Sequence, residues 1–175
     1  MESSLSDHST PLYSTLNNST SHKTWCSDSQ LESDLPLSYP PTYIENISER
    51  ITLYRELNTL ANEDELLAYQ KRLIDRFGKL PIQTKNLLNL VRIRWRAERL
   101  GFEKLVLKQN RMVGYFVQDE NSVYYQSPAF GAILDYMQNH AIRCQLREKG
   151  GKRSILFIDV EDVDSAYNIL LNIML

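Results

Sequence analysis

The hydrophobic period of this chain changes once, at Gly101, and that change limits the folds open to it. Before Gly101 the apolar residues recur at helical spacing over nearly sixty positions. After it they alternate in short runs broken by turn residues. A chain of 175 residues with this order is long enough for one core without covalent staples.

Three helices are predicted in the first part. Ile47, Ile51 and Tyr54 share a face with Leu57, widened by Leu53 and Leu60, so helix one runs to about Thr59. Asn62 then caps a second helix whose first turn is acidic, which suits the helix dipole. Leu66, Gln70, Leu73 and Phe77 form its stripe, and Gly78 ends it. Pro81 opens a third helix with Leu87, Leu90, Ile93, Ala97 and Leu100 on the buried side, closed by Gly101.

Beyond Gly101, Lys104 to Leu107 and Met112 to Val117 read as strands around a Gln109-Asn110 turn, with Val123 to Gln126 a candidate third. Ser127-Pro128 opens a helix through Phe130, Ile133, Leu134 and Met137. Ile142 to Arg147 and Ser154 to Asp159 flank Gly150-Gly151 as a hairpin, and a last helix carries Val163, Ala166, Tyr167, Leu170 and Met174. The expected class is α+β: three N-terminal helices, then strand-strand-helix-strand-strand-helix, with a small, mainly antiparallel sheet covered on one face.

The front of the chain is different in kind. Residues 1–34 contain 16 Ser, Thr or Asn, and residues 1–40 carry one base against five acids. Such a stretch buries too little apolar surface to offset its ordering entropy, so 1–34 is expected to be a poorly ordered polar tail or linker and 35–175 a single domain. Pro36, Pro40 and Pro41 make the junction an extended lead-in from which Leu35, Leu37, Tyr39 and Tyr43 can pack on the body.

Several chemistries are not supported by the residues. Neither Gly78-Lys79 nor Gly151-Lys152 has the first glycine or the hydroxyl of a phosphate-binding loop. His8, His22 and His140 are scattered, and Cys26 and Cys144 form no metal-ligand or disulfide pattern. Acids such as Asp162 and Asp164 sit where a helix dipole accounts for them. Ile169 to Leu175 is far short of a membrane span, and the first residues do not resemble a secretory signal, so a cytoplasmic location is expected.

Charge provides the interaction candidates. Lys85, Arg92, Arg96 and Arg99 recur at helical spacing and make one basic face on helix three, within a segment, 85–111, of eight bases and two acids. This is either the solvated side of an amphipathic helix or a nucleic-acid or partner contact. Trp95, Tyr124 and Tyr125 are either buried aromatics or base-stacking groups. A second cluster, Arg143, Arg147, Lys149, Lys152 and Arg153, marks the hairpin. On helix two, Arg72, Asp75 and Arg76 stand three or four residues apart and face away from the stripe. They could form an intrahelical Arg72–Asp75 pair or meet a partner.

One set of motifs is specific. Ile51-Thr52-Leu53-Tyr54-Arg55-Glu56-Leu57, Leu73-Ile74-Asp75-Arg76-Phe77-Gly78-Lys79-Leu80-Pro81 and Ala97-Glu98-Arg99-Leu100-Gly101, in that order, closely resemble the C-terminal domain of bacterial transcription-repair coupling factors. The resemblance runs from about Glu32 to the C-terminus and is strongest up to Gly101. It implies a non-catalytic regulatory domain of a larger ATP-driven translocase of duplex DNA. That protein displaces stalled RNA polymerase and recruits the damage-recognition ATPase of nucleotide excision repair. The domain would dock on the repair-recruitment module of the same protein, mask it and restrain the motor. Asp75 and Arg76 match the family's docking positions, whereas Arg72 stands where many relatives carry Glu. ATP and magnesium would belong to the absent motor, and this chain would take no cofactor, metal, membrane or small-molecule substrate. The alternative from another class is a nucleic-acid-binding module using helix three.

Overall fold

The computed structural model describes residues 24–173. Three helices come first: α1 (Ile47–Thr59), α2 (Glu63–Phe77) and α3 (Ile82–Leu100). Each boundary is chemical. Asn46 and Asn62 accept hydrogen bonds from the amides of Glu49 and Glu65 at 3.0 and 2.9 Å, and Glu65 reaches back to the Ala61 amide at 2.7 Å. Gly101, in the left-handed region at φ 87°, ends α3 with its amide on the Ala97 carbonyl.

The second part holds β2 (Phe102–Lys108), β3 (Arg111–Phe116), α4 (Pro128–Asn139), β4 (Cys144–Lys149), β5 (Lys152–Ile158) and α5 (Val163–Asn172). The two hairpins turn where expected: Gln109 and Asn110 have φ of 53° and 57°, Gly150 and Gly151 of 60° and 75°, the positive pair that a two-residue turn needs. Ser127 and Asp162 cap α4 and α5 by accepting from the amides of Phe130 and Ser165. The fold is α+β, as expected.

A fifth strand was not expected. Gln30–Ser33 forms β1, which pairs in parallel with β2 and completes a sheet of order β1-β2-β3-β5-β4. Ser29 donates to the Phe102 carbonyl at 2.6 Å, and Asp34 accepts from the Gln109 amide at 3.0 Å. The later part of the polar front region is therefore built into the sheet, its backbone satisfied by a strand rather than by water. Residues 1–23, and the reading of them as a tail, lie outside the described residues.

Val123–Gln126 is a 3₁₀ turn, not a strand. A strand would send Tyr124 and Tyr125 to opposite faces. Instead the Tyr124 hydroxyl donates to the Leu100 carbonyl at 2.6 Å and the Tyr125 hydroxyl to the Val117 carbonyl at 2.5 Å, and the turn lets both rings face inward. The two tyrosines are thus packing groups. Strand β4 begins at Cys144 rather than Ile142, whose side chain is 93% exposed.

Two hydrophobic clusters result, and α3 belongs to both. Leu88 and Val91 join Leu57, Leu66, Leu73 and Tyr69 between the helices, while Ile93, Ala97 and Leu100 join the sheet and α4 and α5. Serving two clusters shifts the buried stripe in the first half of α3 from Leu87 and Leu90, which are half-buried, to Leu88 and Val91. A register shift between Phe102 and Lys104 turns both Phe102 and Leu105 toward the core. The lead-in lies along α3: Thr84 donates to the Ser38 carbonyl at 2.9 Å and Asn86 to that of Pro36 at 3.3 Å. Leu35 and Leu37 pack on the sheet cluster, Tyr39 and Tyr43 on the helical one. Ile47 and Ile51, read as buried, are exposed, because Leu53 and Leu57 are the residues α1 turns inward.

Candidate interaction surface on the second helix

The phase of α2 is set by Leu66, Tyr69 and Leu73, which are buried. Residues 72, 75 and 76 then fall on its outer side, and all three are exposed. Arg72 does not pair with Asp75 along the helix. It forms an ion pair with Glu56 of α1, and Arg76 forms one with Glu49, so both guanidiniums bridge the α1–α2 seam. They also lie over the rings of Tyr69 and Phe77, 5.5 and 5.0 Å from the centroids. Asp75 has no hydrogen bond or ion pair among the described residues.

Between these charges lies a groove of about 340 Å³ with Leu53, Tyr69, Leu73 and Phe77 in its walls, Asp75 and the two arginines at its mouth. Beneath it the Tyr39 and Tyr69 hydroxyls share a hydrogen bond, and Tyr69 also donates to the Leu53 carbonyl at 2.9 Å. Burial pushes the Tyr69 phenol up to about 12 and raises that of Tyr39 as well. The floor of the groove is therefore held by groups that remain neutral at ordinary pH. Tyr43 ties the lead-in to the end of α2, donating to the Gly78 carbonyl at 2.9 Å. The result is an apolar cleft flanked by two arginines, each paired with a glutamate of α1, and by one carboxylate that has no such pair among the described residues.

The basic face of α3 has a different fate. Arg92 donates to both oxygens of Glu63, at 2.8 and 3.0 Å from Nε, which raises its pKa further. Arg96 donates to the carbonyls of Leu170 and Ile173, at 3.1 and 2.7 Å, and so caps the end of α5. The Arg99 Nε is buried without a hydrogen-bond partner. Only Lys85 of the four is exposed, and it has no ion pair among the described residues. The face is largely an internal seam joining α3 to α2 and α5. Trp95 is partly buried against the helical cluster.

Cys26 and Cys144 are free thiols. Burial, with help from Glu103 and Glu98, pushes Cys26 up to about 11, so it is a poor nucleophile at neutral pH. Among the described residues no three His, Cys, Asp or Glu side chains are grouped so as to hold a metal ion, and no helix is long and apolar enough to cross a membrane.

The fold is shared with a solved structure, the crystal structure of the C-terminal domain of transcription-repair coupling factor: TM-score 0.61 at 20% identity, over 83% of this chain and 94% of that one. The model of the TRCF domain family matches residues 33–127, and the chain belongs to that family. Among curated proteins it is similar to the transcription-repair-coupling factors of Rickettsia prowazekii, 38% identical over 41% of this chain, and of Escherichia coli, 34% identical over 43%. The matched regions span only 6% and 7% of those proteins. The chain is thus matched to only a small part of the length of these curated relatives.

Proposed function

We propose that this domain is a regulatory module of a transcription-repair coupling factor that acts in transcription-coupled nucleotide excision repair. It docks through Arg72, Asp75 and Arg76 on the repair-recruitment module of the same protein. While docked it masks the site for the damage-recognition ATPase and restrains the DNA translocase that engages RNA polymerase on duplex DNA. The observation that carries this reading is Asp75, an exposed carboxylate without an internal partner, held between two arginines that α1 keeps in place. A charge left uncompensated beside an apolar groove favours an external partner over a purely structural role. The role is one of binding and release, with ATP and magnesium used elsewhere in the larger protein.

The test is Asp75→Lys. It breaks no internal contact, so the fold should change in stability by less than about 0.5 kcal/mol. In the full-length protein the same change should raise both affinity for the damage-recognition ATPase and basal ATP hydrolysis. Masked and released forms are two positions of one equilibrium, and a shift on the order of 1–3 kcal/mol is expected for such coupling. Unchanged affinity and unchanged hydrolysis would mean that Asp75 is merely solvated.

A further inference from the structure

Strand β4 ends the sheet, and nothing among the described residues pairs with its outer side. Its register with β5, Lys149 opposite Lys152 across the glycine turn, makes 149, 147 and 145 the hydrogen-bonded positions. The amides and carbonyls of Leu146 and Glu148 therefore point away from the sheet. The same alternation puts Leu146 on the core side, beside Ile155, yet α4 does not reach over it and it stays 40% exposed.

The uncovered strip is a groove of about 500 Å³, formed by Leu146 with Phe116, Tyr125 and Phe130 under a charged rim. The charges of the rim are Arg147, Glu148 and Arg153, the last lying 4.9 Å over the Tyr125 ring and 3.5 Å from Glu120. On the other face of β4, Arg143, Arg147 and Lys149 stand in a row without an ion pair among the described residues, so the edge as a whole is basic. Glu148 is the one acid between residues 143 and 153.

We propose that this edge receives an extended acidic-apolar peptide as a sixth strand. Its backbone would pair with Leu146 and Glu148, one bulky apolar side chain would fill the groove, and flanking carboxylates would face Arg143, Arg147 and Lys149. The peptide backbone supplies what a phosphate chain lacks: alternating donors and acceptors at strand spacing. The apolar floor accounts for the anchor, and the row of bases on the other face of β4 accounts for the sign of the flanks. The site lies on a different element from the α2 groove, so it stands or falls independently of the docking reading.

The experiment uses the whole isotope-labelled chain and the N-acetylated, C-amidated peptide Asp-Val-Asp-Phe-Asp-Val-Asp, whose apolar and acidic side chains alternate between the two faces of a strand. Saturable shifts confined to the β4 edge and the Phe130 ring are expected. The same peptide N-methylated at alternate residues, so that it cannot donate to the edge, should bind at least tenfold more weakly. Leu146→Asp and Arg147→Glu should each weaken binding at least tenfold. Arg147 lies on the other face of the strand, and its substitution covers the case in which Leu146→Asp lowers the melting temperature. No saturable shift at millimolar peptide, equal affinity for the N-methylated form, or displacement of the peptide by an equimolar thymidine octanucleotide would overturn the proposal.

Discussion

The hydroxyl of Tyr39, carried in on the proline-rich lead-in, is hydrogen-bonded to the hydroxyl of Tyr69 on α2, and both side chains are buried. Tyr69 spends its own proton on the Leu53 carbonyl, so Tyr39 is the donor of the pair. Three segments, lead-in, α1 and α2, are thereby fixed by two protons.

That direction predicts unequal mutants. Tyr39→Phe leaves Tyr69 still donating and should cost about 1 kcal/mol, whereas Tyr69→Phe leaves the buried Tyr39 hydroxyl without its acceptor and unties α2 from the Leu53 carbonyl, and should cost about 2 kcal/mol. Urea unfolding at neutral pH measures both.

The same pair predicts a loss of stability in alkali. The Tyr69 phenol, near 10 in an unfolded chain, is raised to about 12 in the fold. A group whose folded pKa is raised contributes stability that is fully present below the unfolded value and lost as pH rises through the folded one. Unfolding free energy should therefore fall between about pH 10 and 12, and the fall should be shallower in Tyr69→Phe. An identical slope in the variant would remove Tyr69 from the account.

Two glycines should respond to alanine with opposite signs. At Gly101 a methyl group would sit 2.1 Å from the Tyr124 ring, on a backbone already at φ 87°, so Gly101→Ala should cost more than about 3 kcal/mol. At Gly131, in α4, nothing lies within 4 Å of the same methyl group, and Gly131→Ala should stabilise by about 0.5–1 kcal/mol. Thermal melting of the two variants makes the comparison.

On α3, Arg96→Ala removes the donor for two carbonyls at the end of α5 and should destabilise by about 1–2 kcal/mol. Lys85→Ala should stay within about 0.5 kcal/mol. If the basic face were instead a phosphate-binding surface, both substitutions would leave stability alone and flatten the salt dependence of duplex binding.

The Arg76–Glu49 bridge is exposed on the arginine side and should be worth under about 1 kcal/mol in a double-mutant cycle of alanine substitutions. If α2 docks as proposed, Glu49→Gln in the full-length protein should lower docking affinity more than it lowers the melting temperature, because Arg76 is then free to leave the mouth of the groove.

Features encoded within a few residues of themselves were legible in the sequence. Asn62 and Gly78 bound α2, Ser127-Pro128 opens α4, and Gln109-Asn110 and Gly150-Gly151 turn the hairpins, each through chemistry local to the site. The outward set Arg72, Asp75 and Arg76 was legible for the same reason, since helical phase alone places it. What escaped was decided at a distance. The arginines of α3 look like a solvent face until Glu63 and the carbonyls of α5 arrive from elsewhere in the chain to use them. Arg72 could reach Asp75, and its choice of Glu56 depends on how α1 packs. The short polar run Gln30-Leu31-Glu32-Ser33 has no strand signature of its own and becomes one only beside β2.

That last strand gives the domain a sequence of events as well as a shape. Ser29 and its partner Phe102 are separated by 73 positions, so on a growing chain β1 must wait, single and solvated, until all three helices and the strand beside them have been made. Residues made before α1 thus find their place only once α3 and β2 exist, and they act as a latch drawn across an edge that the chain supplies later.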